Sequence, residues 1–406
     1  MDLTSEEREM LDGSQGRAVQ KAMQILVALG TIYGAQRMIP VTSAQVSGVS
    51  FDNLGQAGLD FLDEMASGGA KVRILATLNP AGMDVENWQA LGIGPNFAEK
   101  QMQVIAAYQR MGIVTTCSCT PYLTGNVPYL GEHVAWSESS AVCYANAVLG
   151  ARTNREGGPS ALAAALTGRT AEYGYHLEEA RQPGLTVDVQ ASLPETSDFG
   201  ALGKIIGEKL ESSGIAHPVP YIRGVGPSAN GSLSLEKLKS FCASLATFGG
   251  AAMFHIENIT PEAFRYTFPS ETLVINPADL ERANQELSDG DPEDADFFSL
   301  GCPHLSIREL AHLADLLQGK QVKGEFWLTT SRPVKQVADR MGYTRIIEAS
   351  GAKIAADTCC VVAPIKGRFR VLVTDSAKAC YYACSKNKFK TVLLPFDEVV
   401  RQAVRE

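Results

Sequence analysis

Apolar positions along the chain follow two alternating rhythms. In residues 51–69, Leu59, Phe61, Leu62 and Met65 fall at helical spacing and Gly68-Gly69 ends the run. Val72, Ile74, Leu75 and Leu78 then form a compact apolar stretch that stops at Asn79-Pro80. A 3.6-residue period giving way to a short apolar run predicts helix, stop, strand. The same order returns in residues 96–112 (NFAEKQMQVIAAYQRMG), followed by IVTTCSCT at 113–120. Later runs read as strands: LTVDVQ, AAMFHI, TLVINP, EFWLTT, RVLVTDS and TVLLPF. Between them lie amphipathic segments at 197–214, 234–250, 306–319 and 332–342. Thr4 with Glu7 three residues on has capping-box spacing and predicts a first helix.

Short apolar strands alternating with amphipathic helices predict an α/β fold with largely parallel sheets. Pro183, Gly184, Pro194, Ser197 and Gly200 cluster between 182 and 200. They suggest an α/β domain at 1–190 and further α/β structure at 191–406. The stretch SDGDPEDAD (288–296) reads as a solvated acidic loop. No repeat of solenoid period and no low-complexity tract is visible.

Composition narrows the function. A chain of 406 residues predicts two or three domains and can bury a core without disulfides. Hydrophobic residues at 45% and charged residues at 20% exclude disorder as the dominant state. The net charge of -9 argues against a nucleic-acid surface, though not against a local cationic pocket. No apolar run approaches the length of a membrane span, and the N-terminus MDLTSEEREML carries glutamates where a signal peptide would be cationic. A cytoplasmic protein without a membrane partner is expected. Its nine cysteines, an odd number, are then core fillers, metal ligands or nucleophiles.

Three thiol segments stand at predicted strand ends or loops. Cys117-Ser118-Cys119-Thr120-Pro121 cannot continue a ladder past Pro121, which lacks an N–H. Gly301-Cys302-Pro303-His304 precedes a helix that Ser306 or His304 caps, and the helix dipole there favours a thiolate. Asp357-Thr358-Cys359-Cys360 follows a strand-like run, and alternation sends one of the two adjacent thiols into a site. Three such loops match how iron–sulfur ligands are gathered from distant segments. Cysteine is also among the most buried residue types, and Cys143, Cys242, Cys380 and Cys384 read as packing.

Anion-binding features form a second set. Arg152-Thr153-Asn154-Arg155-Glu156-Gly157-Gly158-Pro159-Ser160 opens a helix with free N–H groups and two arginines. Thr330-Ser331-Arg332-Pro333 repeats the pattern after EFWLTT, and Thr374-Asp375-Ser376-Ala377-Lys378 adds a polar strand end. Residues 131–140, with Glu132, His133 and Glu138, are polar enough to face a cavity. Gly224-Val225-Gly226-Pro227-Ser228 lacks the third glycine and the acidic residue of a dinucleotide site, so no such cofactor is expected.

Cys119-Thr120-Pro121-Tyr122, the run GEHVAWSESSAVCYANAVLGARTNREGGPSALAAALTG, Gly301–Ser306 and Asp357-Thr358-Cys359 together resemble the aconitase X family, a divergent branch of the aconitases. The resemblance extends from the Ser43–Gly48 segment to Lys378. It implies an aconitase-like multi-domain α/β fold with the active site at a domain interface. It implies a hydro-lyase whose Cys119, Cys302 and Cys359 hold an iron–sulfur centre, foremost [4Fe-4S], with a smaller cluster or mononuclear iron as alternatives. It further implies a small swivelling-domain subunit as partner, one that supplies the serine base, and a small anionic hydroxy acid as substrate.

The archaeal branch of this family dehydrates (R)-5-phosphomevalonate in a modified mevalonate route to isoprenoids. The bacterial branch dehydrates cis-3-hydroxy-L-proline. Gln45 departs from the His expected there. The candidate catalytic residues are Glu132, His133, Glu138, Ser376 and Lys378. The candidate binding residues are Ser43, Ser47, Gly48, Thr153, Asn154, Arg155, Ser331 and Arg332. A cluster-free RNA-binding relative and a zinc hydrolase on the same thiols are the readings from other classes.

Overall fold

The computed structural model describes residues 1–214, 218–226 and 233–405. Thr4 starts the helix Ser5–Asp12 through the reciprocal capping box with Glu7. The strands that follow are β1 (Met38–Pro40), β2 (Ser43–Val46), β3 (Leu75–Leu78), β4 (Ala135–Trp136) and β5 (Arg169–Ala171). β2 lies between β3 and β4, parallel to both, while β1 and β5 pair antiparallel. Helices Arg17–Ile32, Phe51–Ser67, Pro95–Arg110 and Gly158–Thr167 bury their apolar stripes in the same core. The expected strand at 113–120 is not formed. One isolated bridge, Thr77 to Val114, is made, and the chain then turns with Cys117 at φ 43°. The Leu78 carbonyl accepts from Ser118 N and Thr116 Oγ1 instead, so a hydroxyl takes up bonding that a ladder would use.

The second sheet holds β6 (Leu185–Val189), β7 (Pro220–Arg223), β8 (His255–Ile256) and β9 (Thr272–Ile275), all parallel in the order β8-β7-β6-β9. β6 stands on the N-terminal side of the 190/191 division read from sequence and pairs with two strands on the other side. Helices Thr196–Ser213 and Leu235–Gly249 cover this sheet and nearly touch, since a Cβ on Gly207 would lie 2.8 Å from Gly249 N. Of the glycine motif excluded as a dinucleotide site, Pro227 and Ser228 lie outside the described residues.

The third sheet contains β10 (Phe297–Leu300), β11 (Glu325–Thr330), β12 (Lys353–Ala356), β13 (Val371–Thr374) and β14 (Lys390–Leu393). All pairings are parallel and the order is β12-β11-β10-β13-β14. Chain order therefore reverses between β10 and β13. In open α/β sheets the ligand crevice lies at that reversal, beyond the carboxyl ends of the strands. The acidic stretch before β10 is less free than expected. Asp289 accepts from Thr391 N at 2.7 Å, and Asp296 accepts from Arg370 N and Val371 N at 3.0 and 3.1 Å. Its carboxylates cap the starts of β13 and β14.

Candidate functional site

The carboxyl ends of the first and third sheets face a common seam, and the three thiol loops meet there. Cys302 follows β10 and Cys359 follows β12, while Cys119 comes from the turn beside β3. One buried imidazole joins all three loops. His304 Nε2 donates to Thr358 O at 3.0 Å, next to Cys359, so Nδ1 accepts from Ser118 Oγ at 3.2 Å, next to Cys119. The backbone N–H of His304 points at Cys119 Sγ, 3.3 Å away. Burial pushes the ring down to about 4, so it stays neutral and keeps this bonding pattern.

Glu138, just beyond β4, and Lys378, just beyond β13, meet at 2.5 Å in the same seam. Burial alone would raise the Glu138 carboxyl, but Lys378, Asn79 and Ser140 bring it down to about 2. Lys378 is raised, because the charge of Glu138 outweighs its burial. Both groups are charged at neutral pH, and both act on Cys119, Cys302 and Cys359. Ser376 caps helix Ala377–Tyr382 by accepting from Ala379 N and lies beside Cys302. Cys302 follows β10 and Ser376 follows β13, so this contact lies at the reversal of the third sheet.

The thiols suit a soft metal centre. All three are free, and Cys359 lies close enough to add to the upward push on both Cys119 and Cys302. Burial raises each of them, Cys302 to about 12, overriding the lowering expected from the helix dipole. A thiolate here needs a cation beyond Lys378. Among the described residues no three His, Cys, Asp or Glu side chains are grouped to hold a single ion. Free thiols on three loops joined through His304 are soft ligands of the type that iron–sulfur centres use. Cys117 is fully buried beside Asp357 and Arg332 and Cys360 is buried against Ser299, while Cys384 is exposed.

Several sequence candidates lie elsewhere or are already engaged. Glu132 and His133 sit at the opposite end of β4 from Glu138, where Glu132 accepts from Tyr129 N and His133 pairs with His176. Arg332 is not free for an anion. It is clasped by Asp84, Glu86 and Asp357 and fastens the first unit to the third. Arg152 pairs with Glu178 and the His176 carbonyl, near His133 rather than the thiols. Thr153 bonds the Trp136 N–H and the Asn154 carbonyl, and Asn154 holds the 173–175 turn. Ser43 accepts from Trp136 Nε1, and Ser331 caps helix Arg332–Met341. Arg155 is exposed near the Gly158–Thr167 helix start, which has no side-chain cap. The Ser47-Gly48 turn abuts that start, since a Cβ on Gly158 would lie 2.6 Å from Ser47 O.

Family models for the first, second and third domains of aconitase X match residues 1–179, 183–285 and 295–405. The chain belongs to the aconitase X family. It is 48% identical over 381 residues to the phosphomevalonate dehydratase large subunit of Methanothermobacter thermautotrophicus, covering 93% of this chain and 92% of that one. The corresponding subunit of Methanocaldococcus jannaschii is 42% identical, with 99% and 100% covered. The cis-3-hydroxy-L-proline dehydratase of Pseudomonas aeruginosa is 33% identical over 93% of this chain but only 65% of that protein. The crystal structure of Thermococcus kodakaraensis aconitase X, holo-form, superposes with a TM-score of 0.91 at 44% identity, covering 99% of this chain and 100% of that one.

Within this aconitase X chain, sequence reasoning missed three residues that build the site. In the sequence His304 stands out as part of the Gly301–His304 thiol segment and as a helix-cap candidate; Ser306 fills the cap, and the imidazole staple itself carries no sequence signal. Asn79 donates to Glu138 at 2.7 Å, and a polar residue closing an apolar strand run was its available signal. Asp84, fully buried, accepts from Arg332 and from Ala356 N, and a lone Asp in a turn carried no signal.

Proposed function

We infer that this chain is the large subunit of a hydro-lyase that dehydrates (R)-5-phosphomevalonate to trans-anhydromevalonate 5-phosphate. The observation that carries the reading is the His304 staple, which brings three thiol loops together beside the Glu138–Lys378 pair. The relatives named phosphomevalonate dehydratase large subunit span 34–48% identity, against 33% for the hydroxyproline enzymes. Cys119, Cys302 and Cys359 are the residues that would hold an iron–sulfur cluster. When bound, such a centre with an open position supplies a Lewis acid for the departing hydroxyl.

The chain's own residues orient the substrate. Lys378 and Ser376 offer a cation and a hydroxyl for its carboxylate. A carboxylate arriving beside Lys378 competes with Glu138 for the ammonium, which raises the proton affinity of Glu138. The α-proton goes to a base on the small swivelling-domain subunit. Arg155 and the uncapped Gly158–Thr167 helix start, beside Ser47 and Gly48, are the candidates for the phosphate. Arg152 and Arg332 are held by carboxylates and so give no support to a phosphate site, and the preference for phosphomevalonate rests on the relatives. No described helix is long and apolar enough to cross a membrane.

The test is the co-expressed two-subunit enzyme, kept anaerobic and offered both compounds. Loss of water from 5-phosphomevalonate and none from cis-3-hydroxy-L-proline is expected, with little turnover by the large chain alone. Turnover of hydroxyproline only would overturn the assignment.

A further inference from the structure

A glutamine occupies the middle of the first sheet, at a strand position where an apolar residue would serve packing alone. Gln45 lies on β2, flanked by β3 and β4, and has no exposed surface. A buried primary amide is costly unless its donors and acceptor are matched. Here they are. Nε2 donates to Asn79 Oδ1 at 3.2 Å and to Ser118 O at 3.3 Å, while Oε1 accepts from Glu138 N at 2.9 Å. The Gln45 carbonyl also accepts from Ser137 N at 3.0 Å. A backbone N–H can only donate, which fixes the amide orientation.

Each of these partners leads to the site. Asn79, oriented by Gln45, donates to Glu138 Oε2 at 2.7 Å, and the other Glu138 oxygen holds Lys378. Ser118 immediately precedes Cys119 and bonds His304. One side chain thus ties the turn after β3, the turn after β4 and the first thiol loop into a fixed relation. A neutral imidazole has one donor and one acceptor, too few for these three contacts. This gives a physical reason for Gln where His was expected.

We propose that Gln45 is a positioning residue of the dehydration site: it aims the Glu138 carboxylate through Asn79 and sets the Cys119 loop against it. The inference rests on the dehydratase reading, and the experiment separates the two. Gln45→Met keeps length and volume but removes both donors and the acceptor, and Asn79→Ala removes the contact with the carboxylate.

Each variant and the double variant are to be measured in the reconstituted two-subunit enzyme with 5-phosphomevalonate, alongside iron content and melting temperature. Gln45→Met is expected to lower kcat at least tenfold while KM changes less than threefold, with iron content near that of the parent enzyme. The double variant is expected to lose less than the product of the two single losses, because the Gln45–Asn79 contact is common to both. Gln45→His is expected to recover only part of the loss. Unchanged kcat in Gln45→Met, a fall that merely tracks lost iron or stability, or fully additive losses in the double variant would each overturn the inference. An inactive parent enzyme would instead overturn the dehydratase reading itself.

Discussion

Lys378 faces all three thiols and neutralises Glu138, so its loss is expected to leave a buried carboxylate without a partner. Lys378→Met should cost about 3–5 kcal/mol in urea denaturation, the usual penalty for breaking a buried pair. Adding Glu138→Gln should recover most of that stability while turnover stays lost. A single variant as stable as the parent would show that water reaches the pair. Asp375 behaves differently, because burial and the nearby Glu309 push it up to about 7 from an ordinary 3.8, against a hydrogen bond from Thr196. A carboxyl raised in the folded state stabilises in its protonated form. Its contribution is present at low pH and lost as pH rises from about 4 through 7. Asp375→Asn should therefore match the parent in melting temperature near pH 4 and exceed it at pH 8, by about 1–3 kcal/mol of stability. An advantage of equal size at both pH values would contradict this account of Asp375.

At the scale of elements, Arg332 fastens two units rather than binding a ligand. Its guanidinium joins Asp84 and Glu86 of the first unit to Asp357, two residues before Cys359. Ala81 N and Asp84 complete the seam through Asp357 O and Ala356 N. Arg332→Ala is expected to destabilise by about 3–5 kcal/mol, read as a lowered urea midpoint. Unchanged stability with a large rise in KM would return Arg332 to a substrate role. Helices and parallel strands were legible in the sequence because each is specified by its own apolar period. The polar run at 113–120 was misread because its hydroxyls and a left-handed Cys117 replaced ladder bonds locally. The engagement of Arg332 and the staple at His304 were not legible, since their partners lie between 25 and 248 residues away. Two thiol loops were visible from Pro121, Gly301 and Pro303 beside their cysteines, and the third from the adjacent Cys359 and Cys360 after a strand-like run.

For the whole molecule, the site exists because the carboxyl ends of the first and third sheets face one seam. Archaeal large subunits match this chain nearly end to end, whereas it covers only 65% of the longer hydroxyproline dehydratases. The name that those archaeal relatives carry, large subunit, implies a small partner subunit. We infer that Cys119, Cys302 and Cys359 form one metal-holding, catalytic unit. Its most direct measurement is iron and sulfide per chain, with turnover, after anaerobic reconstitution of Cys→Ser variants at these positions and at Cys117 and Cys360. Each of the first three replacements is predicted to reduce metal content severely and abolish turnover, while the other two keep both. Full metal content in a Cys119→Ser, Cys302→Ser or Cys359→Ser enzyme, or its loss in Cys117→Ser or Cys360→Ser alone, would contradict the account.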